Sequence, residues 1–286
     1  MRRRIVQMIL LVPLALIAVA AGTAAAVPAA RHIVSALWNL PDRLPSLAEN
    51  GQIHFESGAE DYARAVAALL PESIARIEAA HGRPFARPVI IGVYATPEAY
   101  MAANGRGSMA PVGVTIAGRV NLSPSLYSKQ RRRLPAILTH ELSHAHIQGW
   151  ASTAELRLPN WFKEGLAVMV SGGGGAEFVS EQEARAAIER GQHIAIDDTQ
   201  SVMTLLAGIR YERSPLGAGP SHLTVMAYRQ AGMFVAYLHD SDAPGYARMM
   251  NAILDGRPFG EAVASGYHQD VHSLWQKFAQ GSAERK

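Results

Sequence analysis

The chain has 286 residues, of which 49% are apolar, and no cysteine. This is enough apolar material for one moderate domain or two small ones, and the missing thiols exclude disulfides and a lipoprotein anchor. The net charge of +3 is 27 basic against 24 acidic residues, and Arg2, Arg3 and Arg4 account for the whole excess. The remainder is balanced and gives no support to nucleic-acid binding.

In chain order, that tri-arginine start leads into an apolar stretch from Ile5 to Ala21, broken by Gln7 and Pro13, and then into Gly22-Thr23-Ala24-Ala25-Ala26. This is the pattern of a secretory signal cut after Ala26. Residues 5–21 are also close to the lower length of a membrane span, so an uncleaved signal anchor is the alternative. The expectation is an exported protein, either periplasmic or anchored in the inner membrane and facing the periplasm. Residues 27–50, with Pro28, Pro41 and Pro45, read as a linker with one short helix near 33–40. A folded domain is expected over 51–282.

Apolar residues at three- and four-residue spacings predict a helix from Ala59 to His81, with Leu70-Pro71 as a candidate break. A β-branched run predicts a strand from Arg87 to Ala95, ended by Thr96-Pro97, and a short helix follows to Ala103. Val112 to Leu122 reads as a hairpin with Ala117-Gly118 near its turn. Helices are expected at about 127–148, 160–170, 180–190, 199–206, 221–239, 243–254, 258–264 and 269–280. The fold class is α+β: a small N-terminal sheet with helices, followed by an all-helical C-terminal half. Gly172 to Gly175 reads as a loop. Neither it nor Gly105-Arg106-Gly107-Ser108 has the strand and helix that a phosphate cradle requires.

The sequence His140-Glu141-Leu142-Ser143-His144 carries the chemistry. Residues four apart share a helix face, so both imidazoles can point at one metal ion. A catalytic Zn²⁺ takes three protein ligands and keeps one position open for water, and Glu141 is in reach of that water as a general base. A chain with 11 His contains such a motif by chance roughly 0.02 times. The motif lies among Ala136, Ile137, Leu138, Leu142, Ala145 and Ile147, so the helix is buried and its polar side chains need partners. His146 points off the face of the pair and reads as a supporting or surface residue.

The third ligand is sought downstream. The metzincin extension would need Gly at 147 and His at 150, but the chain has Ile147 and Trp150. Twenty residues after His144 comes Glu164, in Leu158-Pro159-Asn160-Trp161-Phe162-Lys163-Glu164-Gly165-Leu166-Ala167. Pro159 suits a first helical turn, and Gly165 and Ala167 suit a close approach of two helices. Glu164 is either the carboxylate of a His₂Glu set or an exposed helix carboxylate.

His140-Glu141-Leu142-Ser143-His144 followed by Leu158 to Ala167 resembles the gluzincin metallopeptidases, specifically the peptidase MA-like family of exported bacterial proteins. Ile53 to Gly58 resembles that family's opening strand, and Pro88 to Tyr94 resembles its central strand. Ala227 to Leu238 is similar to the helix after its metal site, and Leu274 to Phe278 to its last helix. The resemblance implies a zincin-like fold and a zinc-dependent peptidase acting on a peptide or protein outside the cytoplasm. It also implies Zn²⁺ on His140, His144 and Glu164, with Glu141 as base. Tyr228, on the helix that resembles the one after the metal site, is the candidate oxyanion donor, and a core aromatic is its other reading. His222 is the alternative donor. Some gluzincins carry an Asp four residues after the ligand Glu to orient the first histidine. Here that position is Val168, so the orienting group must come from elsewhere. The hairpin strand at 112–122 offers an edge to extended substrate. Opposed readings are a non-catalytic zinc-binding scaffold and a membrane-anchored assembly factor on the same fold.

Overall fold

A five-stranded mixed sheet forms one side of the molecule, in the order β1-β2-β3-β5-β4. The computed structural model describes residues 28–198, 208–215 and 217–283. The expected signal segment and the expected helix at 199–206 lie outside the described residues. Strand β1 (Ser46–Leu47) runs antiparallel to β2 (Asn50–Phe55), and β3 (Ile90–Val93) lies parallel to both β2 and β5 (Arg119–Leu122). Strand β4 (Gly113–Ile116) closes the sheet antiparallel to β5 and forms its outer edge. Ile91 pairs with Ile53 on one side and Val120 on the other, and all three are buried.

The segment read as linker contributes helix α1 (Pro28–Trp38) and the edge strand β1. Its prolines do not prevent this, because Pro28 opens a helix and Pro41 opens a 3-10 turn, positions where a missing N–H is harmless. Helix α2 (Glu60–His81) runs unbroken through Pro71. Pro71 is exposed, so water can meet the carbonyl that it leaves without a partner. The β4–β5 turn is Ala117-Gly118, with φ of 49° and 73°. Two positive φ values make the tight primed turn that suits strand twist.

Helix α3 (Pro97–Ala103) precedes β4, and a short α4 (Pro124–Ser128) follows β5. The helix expected from 127 therefore starts elsewhere: α5 spans Leu134–Ala151, after a 3-10 turn at Arg131–Arg133. Pro135 explains the break. A proline fits the first turn of a helix, where Pro135 is the second residue of α5, and further in it costs a hydrogen bond, as Pro71 does in α2. Helices α6 (Asn160–Val170), α7 (Glu181–Glu189), α8 (Pro220–Ser241), α9 (Ala243–Leu254), α10 (Phe259–Tyr267) and α11 (Val271–Ala283) follow. Helix α5 is the hub, packed against α2, α6, α9, β4 and β5. A helix enclosed in this way must be apolar around its circumference, as the residues around the motif are. Trp161, Phe162, Phe234, Phe259, Trp275 and Phe278 join α6, α8, α10 and α11 in one aromatic core.

The small residues of α6 meet α8 rather than the helix of the histidines. A Cβ on Gly165 would lie 2.6 Å from the Ala231 carbonyl oxygen, and Gly232 of α8 lies equally tight against Val168. Backbone cannot yield as a side chain can. Gly165→Ala is therefore expected to destabilise the fold by about 2 kcal/mol despite its better helix propensity. Urea unfolding checks this, and an unchanged midpoint would mean that α6 and α8 separate freely.

Candidate metal centre

Three side chains from α5 and α6 converge on one point. His140 Nε2 lies 3.3 Å from His144 Nε2 and 3.3 Å from Glu164 Oε2, and His144 Nε2 lies 3.6 Å from that same oxygen. Bonds of 2.0–2.1 Å in tetrahedral directions put donor atoms about 3.4 Å apart. The three donors thus already form a triangle of the size that one face of a zinc tetrahedron requires. Each offers one ligand atom, and among the described residues this is the group able to hold a metal ion.

The positions follow from local folding. The i, i+4 spacing stacks His140 and His144 on one face of α5, with their rings edge to face at 5.0 Å. Glu164 is carried by α6, whose buried Trp161, Phe162 and Leu166 fix the roll of that helix in the aromatic core. Lys163, beside Glu164, is buried too, with its ammonium 3.3 Å from Glu155 in the connection between the two helices. That pair holds the turn through which α6 returns to α5.

The glycine run after α6 also belongs to the site. Gly172, Gly173 and Gly175 have positive φ, which only glycine adopts without strain. A Cβ on Gly174 would meet the Ala136 carbonyl at 2.6 Å, and one on Gly175 would meet the His140 ring at 3.3 Å. The loop is held by Ser171, whose hydroxyl accepts from Gly174 N, and by Arg229, which donates to Val179 O and Ala176 O. Its product is one hydrogen bond: His140 Nδ1 donates to Gly174 O at 2.9 Å. This fixes the tautomer and leaves the Nε2 lone pair facing the cluster. Gly174 thus does what Val168 cannot, since Val168 is buried against Gly232.

Glu141 sits beside the cluster and against β4. The Thr115 hydroxyl lies 2.8 Å from Glu141 Oε2 and 2.8 Å from its main-chain carbonyl. Gly113 makes the room, because a Cβ there would come within 2.9 Å of the Glu141 side chain. A glycine inside a strand commonly marks such an approach. It was the available signal for Gly113, as the glycine run was for Gly174. Nothing in the sequence pointed to Thr115.

Tyr228 of α8 is at the site. Its ring is nearly parallel to His140, with centroids 6.2 Å apart, and its hydroxyl is near enough to Glu164 to feel that carboxylate. Burial, together with the Glu164 carboxylate, pushes the phenol well above its ordinary pKa, although the Arg106 guanidinium works against this. The phenol therefore keeps its proton. His222 is remote in its bonding, pairing with Glu183 of α7 at 3.3 Å.

The electrostatics of the cluster favour charge. Burial opposes a proton on His144, but Glu164, Glu141 and Glu155 outweigh it and raise its pKa. Burial likewise opposes ionisation of Glu164, and His144 and His140 overcome it, holding the carboxyl well below its usual range. Comparison of the chain with protein-family models, curated proteins and solved structures finds no match.

On the opposite face of α5, His146 is fully buried and joins a second polar chain. Its Nε2 donates to Arg83 O at 2.8 Å, so its Nδ1 accepts from His81 Nδ1 at 2.9 Å, and His81 Nε2 accepts from Ser143 Oγ at 3.2 Å. The pattern closes only with both rings neutral. Burial pushes His81 well below its ordinary 6.5 and lowers His146 as well. The unfolded chain takes up these protons as the pH falls past 6.5 and the folded chain does not. The stability from this pair is therefore full above that pH and lost below it, by about 1.4 kcal/mol per pH unit for each ring. His144 acts with the opposite sign, but its window lies above 6.5, between the unfolded value and its raised folded one. Urea unfolding of the metal-free protein should show the midpoint falling from about pH 6 to about pH 5. A flat profile there would mean that the pair is charged in the fold.

Proposed function

We propose that this chain is a zinc-dependent peptidase of the gluzincin type, exported and acting on peptide or protein substrates outside the cytoplasm. The observation that carries the reading is the donor triangle of His140, His144 and Glu164, with Glu141 held beside it. Metal binding needs the three donors but not Glu141, whereas hydrolysis requires a base there. When bound, zinc supplies a Lewis acid and lowers the pKa of water to near neutrality. Glu141 accepts the proton of the attacking water and returns it to the leaving amine, while Thr115 keeps its carboxylate turned toward the cluster. Tyr228 donates from its protonated hydroxyl to the carbonyl oxygen of the substrate as charge develops there. Strand β4 is an outer edge beside Glu141, so an extended peptide can add to it through main-chain hydrogen bonds. The zincin-like fold, export through residues 1–26 and a periplasmic location, soluble or anchored through residues 5–21, belong to the same proposal.

The direct test is metal content. One zinc per chain is expected, with an affinity that rises with pH. His144 must lose its proton to bind, and Glu164 is already ionised. Below the raised pKa of His144, affinity should gain about tenfold per pH unit, with one proton released. Competition with a zinc-sensitive dye at several pH values reads this. A pH-independent constant, or no zinc at all, would sink the ligand set.

A further inference from the structure

Helix α1 carries an apolar face that no other part of the described structure covers. Ile33, Val34, Leu37 and Trp38 are 41%, 54%, 49% and 70% exposed. Their spacing of one, four and five residues puts them on a single side of the helix. The opposite side is docked on the fold: Ala36 is buried, and Ser35 Oγ donates to the Ala102 carbonyl of α3 at 2.9 Å. Single exposed apolar residues are ordinary, but four on one helix face make a patch that marks an interaction surface.

The charge carried by helix α1 itself has one sign. No acidic residue occurs from Pro28 to Pro41. Arg31 is exposed on the helix, and the Arg43 guanidinium stands 5.1 Å over the Trp38 ring. Asp42 is occupied by Arg119, at 2.6 and 2.7 Å. Trp at the rim of an apolar face, with Arg beside it and no acid, is the composition of a helix that lies in a membrane interface. We infer that α1 seats this face on the surface of an anionic phospholipid bilayer, with Arg31 and Arg43 at the headgroups.

Two further observations favour lipid over other occupants. The apolar stretch from Ile5 to Ala21 lies only a few residues before Pro28, so any membrane contact of that stretch delivers α1 to the bilayer surface. A second copy placed symmetrically on the patch would bring Arg31 and Arg43 of both chains together without acidic partners. The inference is independent of the zinc reading, and its test uses no activity.

The absence of cysteine permits single-site labelling of the full chain. Leu37→Cys and Trp38→Cys, with Ala75→Cys on the exposed side of α2 as control, would carry an environment-sensitive fluorophore. The labelled chains are then mixed with vesicles of phosphatidylglycerol and phosphatidylcholine with brominated acyl chains. Emission at 37 and 38 is expected to shift to the blue and be quenched severalfold more than at 75. Quenching equal at all three sites would overturn the proposal, since residues 5–21 alone would then be holding the chain. A blue shift at 37 and 38 without lipid would also overturn it. If the unlabelled Leu37→Cys chain then forms a disulfide dimer under oxidising conditions, the occupant is a second copy, and if it stays monomeric, it is its own N-terminal segment. Unchanged circular dichroism of the labelled chains confirms that the fold is intact.

Discussion

Replacing Glu141 with Gln is expected to lower hydrolysis of an unstructured protein substrate by roughly two to four orders of magnitude while zinc content stays as in the parent. The amide keeps the volume that Gly113 leaves open, and its oxygen still accepts from Thr115. What it loses is the basic oxygen. Single-turnover cleavage of a fluorogenic casein, with elemental analysis on the same sample, separates the two effects. Cleavage at the parent's rate would refute the assignment of the base. A parent that cleaves nothing and binds no hydroxamate would instead favour the scaffold reading, in which Glu141 serves only to hold β4 on α5 through Thr115.

Glu164→Ala is expected to weaken zinc binding by roughly a thousandfold. It removes the one anionic donor of the triangle. A second readout keeps this from being confused with unfolding. Glu164 is the foremost group that raises His144, so in the metal-free variant the His144 titration should move down, which NMR of the imidazole resonances can follow. Full zinc occupancy at limiting metal, or an unmoved His144, would show that Glu164 is not the third ligand.

Much of the molecule was legible in the chain because local rules suffice for it. The pair His140 and His144 needs only the helical repeat to meet, and the apolar residues around it need only their composition to be buried. Helix α6 matches its expected bounds of 160–170 because Pro159 favours a helix start, and α9 matches 243–254 because Pro244 lies in its first turn. The Ala117-Gly118 turn was visible because two flanking strand-like runs leave two residues between them. At Pro135 the expected and observed helices differ: α5 begins at Leu134 and not near 127.

The remainder depended on contacts between segments distant in sequence. A run of four glycines looks the same whether it is a loose loop or a fitted one. Only the approach of Ala136 and His140 shows that it aims a carbonyl at a ring. Val168 gave notice that an orienting group was missing but could not say that Gly174 supplies it. Thr115 carries no mark of its role, because its partner is 26 residues away and meets it only when β4 lies across α5. Gly165 looked suited to a close approach of two helices, and the helix that claims it is α8, through Ala231. The sequence by itself determined which side chains are able to hold a metal and act as base, since those are properties of residue type and helical spacing. Only the tertiary structure decided the distances among them, the tautomer of His140 and the partner of Glu141, because each of these is set by backbone brought in from another element.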